Sequence, residues 1–186
     1  MQEPSQPDLI AEAQSGNPEA AGMLYDQHHQ SIFRYLFYRT GDALAAEDLT
    51  ADVFLKMLQF MPKFSGSLPA FRGWLFQIAR NLSIDHLRRT LSHPLQQLPE
   101  DMHSLEELTE ASVEQSLDTE SLRNALAFLS PEQQDVLLMR FVEGMSLDET
   151  ARTLHKSQDA IKGLQRRALL TLRSALNLEE TNYERK

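Results

Sequence analysis

The chain has 186 residues, of which 41% are hydrophobic and 24% are charged, as is ordinary for a globular protein of one or two small domains. Its formal net charge is −9, and the absence of cysteine excludes disulfides, thiolate nucleophiles and cysteine-ligated metals. No apolar run approaches the ~20 residues that span a bilayer, and the first residues lack signal-peptide features, so we expect a cytoplasmic protein without membrane insertion.

Helical periodicity dominates the N-terminal half, where we predict helices over residues 8–14, 24–39, 43–61 and 71–89. Asp42 is placed to cap the third of these helices, and Pro62 to end it. The third helix carries a broad apolar stripe of Leu49, Val53, Phe54, Met57, Leu58 and Met61. Outside that stripe lie Glu47, Asp48 and Asp52, which form either a solvated patch or a docking surface for a basic partner.

Aromatic and basic residues alternate in segment 64–89, which begins with a loop that carries Gly66 and Pro69. The helix after the loop has the core candidates Trp74, Leu75, Ile78, Ala79, Leu82 and Leu87. Cations and aromatic rings together suit single-stranded DNA, although aromatics at helical spacing also suit a core, and we expect Trp74 to be mainly packed. Asn81 is informative because a mid-helix asparagine has low helix propensity and no evident structural need.

Residues 93–120 carry eight acidic side chains and no basic one, together with Pro94 and Pro99. This composition predicts an acidic linker between two helical blocks. A capping-box pattern at 104–107 indicates one short helix within it.

The C-terminal half predicts a helix-turn-helix. Ser130 and Pro131 mark a helix start, and Gly144 marks the stop of that helix near residue 143. A second capping box begins at Ser146, and a further start follows at Ser157 after a short turn near His155. Helices joined in this way place the second helix in the DNA major groove.

The last predicted helix, which runs to about residue 176, has two distinct faces. Its apolar stripe consists of Ile161, Leu164, Ala168 and Leu172. Another face gathers Gln158, Lys162, Gln165 and Arg166, residue types that contact phosphates and base edges. Such a face can be merely solvated, but the tandem caps and the tight turn favour DNA reading.

Three stretches in order resemble a bacterial RNA polymerase sigma factor of the extracytoplasmic-function group, in the sigma-70 family. Residues 24–60 and FRGWLFQIARNLSIDHLRR at 71–89 are similar to the family's region 2, and residues 129–172 are similar to its region 4. The resemblance implies an all-α fold of two small helical domains joined by an acidic linker. The divisions would be a region 2-like bundle at 1–92, the linker at 93–120, a region 4-like helix-turn-helix at 121–178 and a tail at 179–186.

The resemblance also implies roles for single residues. Those implied to dock on core polymerase are Glu47, Asp48 and Asp52. Those implied to bind the melted minus-ten strand are Phe64, Ser65, Gly66, Arg72, Trp74, Arg80, Asn81 and Arg88. Those implied to contact the minus-thirty-five duplex are Ser157, Gln158, Lys162, Gln165, Arg166 and Arg167.

The implied function is that of an alternative sigma factor, which recognises both promoter elements and melts DNA when it is bound to core RNA polymerase. Its partners would be core polymerase, promoter DNA and an anti-sigma factor, and the free chain would be monomeric. No catalytic residue, metal or cofactor is expected. The negative charge fits this function, because it disfavours tight DNA binding by the chain alone.

The chain departs from the family pattern near its last two helices. The turn at 154–157 lacks the frequent glycine, so we predict a positive φ at His155. In the recognition helix, 162–165 reads Lys-Gly-Leu-Gln, which exchanges the usual polar and apolar positions. Gly163 also costs about 1 kcal/mol of helix propensity unless a close backbone approach requires it.

Two other functions compete with this interpretation. A helix-turn-helix regulator independent of polymerase would dimerise and bind operators tightly, but it leaves residues 24–89 without a role. A metal-dependent hydrolase would have to use His28, His29, His86 and nearby carboxylates, and no HExxH pair or nucleophile motif supports it.

Overall fold

The computed structural model describes residues 6–92 and 122–183, and within these residues all regular structure is helical. The N-terminal domain contains α1 (Gln6–Gln14), α2 (Pro18–Thr40), α3 (Ala43–Phe60), a 3₁₀ turn (Met61–Lys63) and α4 (Leu68–Ser92). The all-α prediction is confirmed. The predicted acidic linker at 93–120, with its short helix at 104–107, lies outside the described residues.

Local capping sets the ends of α2 and α3. The Asn17 side chain accepts hydrogen bonds from the backbone N–H groups of Glu19 and Ala20, which starts α2 six residues before the predicted position. Gly41 ends α2 with a left-handed φ of 72°, and Asp42 then caps α3 as predicted. This short connection folds α3 back against α2.

The N-terminal core lies between α2, α3 and α4, with the largest fully buried side chains at Leu24, Ile32, Tyr35, Leu36, Met57, Phe71, Leu75 and Phe76. The predicted stripe on α3 is correct except at Leu58, which is 52% exposed. Leu58 follows the buried Met57 directly, and a step of one residue turns the side chain by about 100° around the helix, away from α2 and α4.

His28 on α2 is a titratable group largely enclosed in this core. Its ring lies 5.5 Å from that of Phe71 between centroids, and its Nε2 has no hydrogen-bond partner among the described residues. Burial, assisted by the positive charge of Arg72, lowers the pKa of His28 from 6.5 to about 4. The unfolded chain therefore takes up a proton below about pH 6.5 that the folded chain excludes.

We predict that His28→Leu weakens the acid sensitivity of the fold. The neutral His28 costs no stability above its unfolded pKa of 6.5, but protonation of the unfolded chain destabilises the fold as the pH falls towards the folded pKa of about 4. At ~1.4 kcal/mol per pH unit, the free energy of unfolding falls by about 3 kcal/mol over this window. Urea unfolding at several pH values between about 7 and about 4 measures this difference. Parallel stability profiles for the variant and the unmodified chain would contradict it.

The C-terminal domain begins with a helical turn at 122–126 and continues with α5 (Pro131–Leu137), α6 (Leu147–Thr153) and α7 (Gln158–Tyr183). Both predicted capping boxes are formed, at Ser130 with Gln133 and at Ser146 with Glu149. The hydrogen bond from the Ser146 backbone lowers the pKa of Glu149, so the second box is held by a carboxylate.

α5 continues into one π-helical turn, Leu138–Val142, which the sequence did not predict. The chain then leaves the helix at Gly144, whose φ is 65°.

The predicted helix-turn-helix is present. His155 adopts a φ of 51°, as expected for a turn without glycine, and the Lys156 backbone N–H donates to the Ala151 carbonyl at 2.9 Å. The predicted stripe of α7 packs inward, with Ile161, Leu164 and Ala168 buried. Val136 and Ala151 join Ile161 and Leu164 in a small core of their own, which fixes α7 against α5 and α6.

Candidate nucleic-acid interface

The outer face of α3 combines carboxylates with apolar side chains. Glu47, Asp48 and Asp52 are exposed, and none of them forms an ion pair with another described residue. Leu44 precedes Asp48 by one turn and is 71% exposed, and Leu55 follows Asp52 by one turn and is 63% exposed. Exposed leucines beside unpaired acids suit a partner that is both basic and apolar. The sequence interpretation identified the acids and missed the two leucines.

The loop before α4 is supported by aromatic packing. The Phe64 ring stacks on Trp74 at 4.9 Å between centroids and meets Phe71 edge-on at 5.5 Å. Gln14 on α1 donates to the Phe64 carbonyl at 2.5 Å, which ties the loop to the first helix. A Cβ at Gly66 would lie 3.1 Å from the Phe64 ring, so glycine permits the tight closure. Trp74 thus packs as expected, while Ser65 and Gly66 are exposed.

The polar residues of α4 separate into two groups. Asn81 and Arg88 are exposed, and Arg88 lies 3.7 Å from Asp85 in a weak surface pair. Arg72 and Arg80 turn towards the C-terminal domain instead. The eight residues proposed for the minus-ten strand therefore do not form one continuous open surface in this arrangement.

A buried carboxylate of α5, Asp135, organises the contact between the two domains. Tyr35 Oη donates to it at 2.8 Å, Arg80 Nε donates to its other oxygen at 2.6 Å, and Arg39 Nε lies 3.4 Å away as an ion pair without a hydrogen bond. Burial and the charge of Asp135 raise the pKa of Tyr35 well above its usual value, so the phenol remains a donor. Burial opposes the charge on Arg80, but the hydrogen bond to Asp135 raises its pKa.

A second carboxylate, Glu143, follows the π-helical turn and also faces α2. Arg34 binds it in a bidentate manner, with both N–O distances 2.8 Å. The Arg72 guanidinium donates to the Glu143 backbone carbonyl and lies over the Phe76 ring, 5.8 Å from its centroid. The hydrogen bonds from Arg34 to the Glu143 carboxylate raise the pKa of Arg34.

The polar face of α7 is open. Gln158, Lys162, Arg166 and Arg167 are exposed, and Gln165 is half-buried. The Lys162 ammonium lies 3.3 Å from Asp159 one turn earlier, an exposed pair that a phosphate can replace at little cost. Ser157 accepts a hydrogen bond from the Ala160 N–H and so caps the helix, which adds a structural role to its predicted DNA contact. An open groove of 390 Å³ continues the face, lined by Lys162, Gln165, Arg166, Leu169, Leu170 and Arg173.

Gly163 has no close neighbour among the described residues that requires glycine. A Cβ there would meet only the Arg167 guanidinium, at 3.4 Å, which is the far end of a flexible side chain. We predict that Gly163→Ala raises the free energy of unfolding by about 1 kcal/mol through helix propensity, as measured by urea denaturation. A destabilised variant would indicate that the α7 backbone at Gly163 is constrained by something other than the contact with Arg167.

Sequence reasoning missed several of the residues that join the domains, among them Arg34, Tyr35, Arg39, Asp135 and Glu143. Asp135 gave the only signal, because it stands next to the apolar run Val136–Met139 on a helix that had to be buried. An acidic residue at the start of such an apolar run indicates that another side chain of the protein binds its carboxylate, but the sequence does not identify that side chain.

Comparison with known proteins agrees with this architecture. A family model of sigma-70 region 2 matches residues 24–92, and one of sigma-70 region 4 matches residues 125–174. The chain is 40% identical over 167 residues to the ECF RNA polymerase sigma factor BldN of Streptomyces coelicolor, a match that covers 89% of this chain and 63% of BldN. It is 30% identical over 166 residues to the ECF RNA polymerase sigma factor SigX of Bacillus subtilis, with 86% and 85% covered.

Among solved structures, the fold resembles the sigma factor RpoE in its complex with the anti-sigma factor NepR from Bartonella quintana. The TM-score is 0.66 at 21% identity, and the match covers 84% of this chain and 96% of that one. The chain belongs to the sigma-70 family of RNA polymerase sigma factors, in the extracytoplasmic-function group. Members of this family are not catalytic enzymes. No helix in the described part of the chain is long and apolar enough to cross a membrane.

Proposed function

We propose that this chain acts as an alternative sigma factor, which binds core RNA polymerase and directs promoter-specific initiation. Residues 1–92 would dock on polymerase and read and melt the minus-ten element, and residues 121–178 would read the minus-thirty-five element. The acidic stretch 93–120 would tether the two domains. One observation carries this proposal: a helix-turn-helix with an open basic face shares its chain with a second domain whose acidic and apolar α3 surface has no use in an autonomous repressor.

The α3 surface supports docking because its carboxylates form no ion pair with a described residue and its leucines are exposed. Asp48 and Asp52, with Glu47 beside them, would orient the chain on a basic polymerase surface. Leu44 and Leu55 would add apolar area that becomes buried in the complex. Rim charges of this kind chiefly raise the rate and the specificity of association.

The DNA contacts would divide between the domains. In the N-terminal domain, the loop at 64–70 and Asn81 would receive an unstacked base, and Arg80 and Arg88 would hold strand phosphates. In the C-terminal domain, Lys162, Arg166 and Arg167 would contact the duplex through the open face of α7. Capture of extruded bases offsets the few kcal/mol of unstacking, so melting needs no catalytic residue.

Further aspects of the proposal concern partners and location. The chain would work in the cytoplasm, as a monomer when free, without a metal, a cofactor or enzymatic activity. An anti-sigma factor is proposed as a regulator, since the RpoE relative was solved with the anti-sigma factor NepR.

The experiment that tests this function compares DNA capture with and without polymerase. Genomic fragments are incubated with the chain alone, with core polymerase alone and with both, then challenged with heparin. We expect a discrete set of heparin-resistant fragments only when both are present. Tight capture of the same fragments by the chain alone would favour the autonomous regulator instead.

A further inference from the structure

Gln14, the last residue of α1, reaches across the fold to the loop that is proposed to receive an unstacked base. Its side-chain Nε2 donates to the Phe64 carbonyl at 2.5 Å, 50 residues further along the chain. Within residues 6–92 and 122–183, no other side chain hydrogen-bonds to the backbone of 64–67. The proposed function gives no residue of α1 a role, and α1 lies before residues 24–92, which the region 2 family model matches.

The end of α1 that carries Gln14 is held firmly in the fold. α1 packs against α2, the 3₁₀ turn and α4. Its buried side chains are Leu9, Ile10 and Ala13. Gly16 follows α1 with a φ of 89°, and the Asn17 side chain then caps α2 and donates to Glu12 at 3.1 Å. Gln14 therefore extends from a rigid element, as a residue that positions another group must do.

Phe64 is held at its ring and at both of its backbone groups. The ring stacks on Trp74 at 4.9 Å and meets the buried Phe71 edge-on. The Phe64 N–H donates to the Met61 carbonyl at 3.0 Å, and the Phe64 carbonyl accepts from Gln14. The start of the loop is thus already ordered in the free chain, and Gln14 supplies the contact that comes from outside the loop and α4.

The hydrogen bond from Gln14 also sets the direction of the next backbone donor. The peptide between Phe64 and Ser65 is trans, so its N–H points opposite to the carbonyl and therefore away from Gln14. Ser65 is exposed, and its N–H donates to no acceptor in the described part of the chain. A backbone donor that is held in one direction suits the acceptor atoms of nucleic acid and loses little conformational entropy on binding.

We propose that Gln14 is a positioning residue for base capture, which holds the Phe64 carbonyl so that residues 65–67 keep the conformation that receives an unstacked base. This inference rests on the proposed function and gives α1 a role within it. Without the hydrogen bond, the loop has to be ordered at the moment of capture, which lowers the fraction of competent chains. The effect falls on promoter opening, because only the open complex contains unstacked bases.

Two replacements at Gln14 separate the hydrogen bond from side-chain length and charge. Methionine has a similar length, no charge and no N–H donor, so Gln14→Met removes the hydrogen bond and leaves the net charge unchanged. Lysine retains a donor at a similar reach, so Gln14→Lys should restore the contact. Both residues are good helix formers, which preserves α1. The matched controls, Gln27→Met and Gln27→Lys, make the same changes at an exposed position of α2.

The first measurement reports the loop in the free chain. Trp74 is the single tryptophan of the sequence and is the residue on which the Phe64 ring stacks. We expect red-shifted emission and stronger acrylamide quenching of Trp74 in Gln14→Met, because the stacked ring no longer shields the indole as fully. Gln14→Lys and both Gln27 variants should give parental spectra. An unchanged spectrum in Gln14→Met would overturn the proposal, because the loop would then not depend on Gln14.

The second measurement is the opening of a captured genomic fragment by core polymerase with each chain, detected by permanganate reactivity of unpaired thymines. Loss of one such hydrogen bond predicts about fivefold less open complex in Gln14→Met, with the closed complex unchanged and opening restored in Gln14→Lys. Parental opening by Gln14→Met, equal losses of open and closed complex, or a Gln14→Lys that opens as poorly as Gln14→Met would each overturn the proposal.

The parent chain distinguishes this inference from the proposed function. If the parent opens fragments with core polymerase and Gln14→Met opens them equally well, only the role of Gln14 fails. If the parent opens no fragment, the proposed function fails, and the role of Gln14 fails with it.

Discussion

Replacement of both Asp48 and Asp52 by arginine is expected to abolish binding to core RNA polymerase while leaving the fold intact. Both carboxylates are exposed on α3 and form no ion pair with a described residue, so their reversal breaks no contact within the protein. Against a basic partner, each arginine replaces an attraction by a repulsion, and like-charge contacts cost several kcal/mol. We expect the affinity for core to fall about 100-fold or more, as measured by fluorescence anisotropy with labelled chain.

The matched control reverses two exposed acids on α2, Glu19 and Asp26, which changes the net charge equally. It should bind core almost as well as the parent. If the α3 variant also keeps its affinity, and its helical circular dichroism is unchanged, α3 is not the docking surface.

Replacement of Asn81 by alanine is expected to impair the open promoter complex more than the closed one. Asn81 is exposed in the middle of α4, and alanine is the better helix former, so the folded domain should lose no stability. Loss of a hydrogen bond from the amide to an unstacked base costs about 0.5–1.5 kcal/mol, so we expect up to about tenfold less open complex. Permanganate reactivity of unpaired thymines on a captured fragment measures opening, and heparin-sensitive binding measures the closed complex.

Asn124→Ala provides the control, since Asn124 is also exposed but lies in the C-terminal domain far along the chain from α4. It should change neither complex. Equal losses of open and closed complex in Asn81→Ala would refute a role for this residue in strand capture.

The sequence predicts the helix boundaries well where the signal is local. Asp42, Ser130 and Ser146 cap the helices that they were expected to cap, because a side chain two or three residues away satisfies the free N–H groups. The left-handed His155 was likewise predictable, since the tight turn requires such a conformation and no glycine is present. These features depend on only a few neighbouring residues.

The sequence predicts the fold less well where distant residues decide the outcome. Leu58 fits an apolar pattern, yet it is exposed because no other element in residues 6–92 and 122–183 covers that side of α3. The π-helical turn at Leu138–Val142 changes the register within a continuous apolar run, so hydrophobic periodicity contains no sign of it. Tyr35 and Asp135 are 100 residues apart in sequence, and only the packed domains bring them together.

The same distinction applies to the candidate sites. The exposed positions on α3 and α7 follow from helical spacing, because most side chains outside the apolar stripe of a surface helix face water. The pairing of Arg80 with Asp135 does not, because Arg80 looks like a free cation until the other domain is placed. The roles of these residues in DNA and polymerase binding remain predictions for the experiments above.

Run-off transcription is the most direct measurement of the central claim, that this chain gives core polymerase its promoter choice. Core polymerase is supplied with a captured genomic fragment and nucleotides, with and without the chain. The proposed function predicts a transcript of defined length only when the chain is present, and its loss with the Asp48 and Asp52 reversal. Equal transcription with and without the chain, on every fragment tested, would contradict the claim.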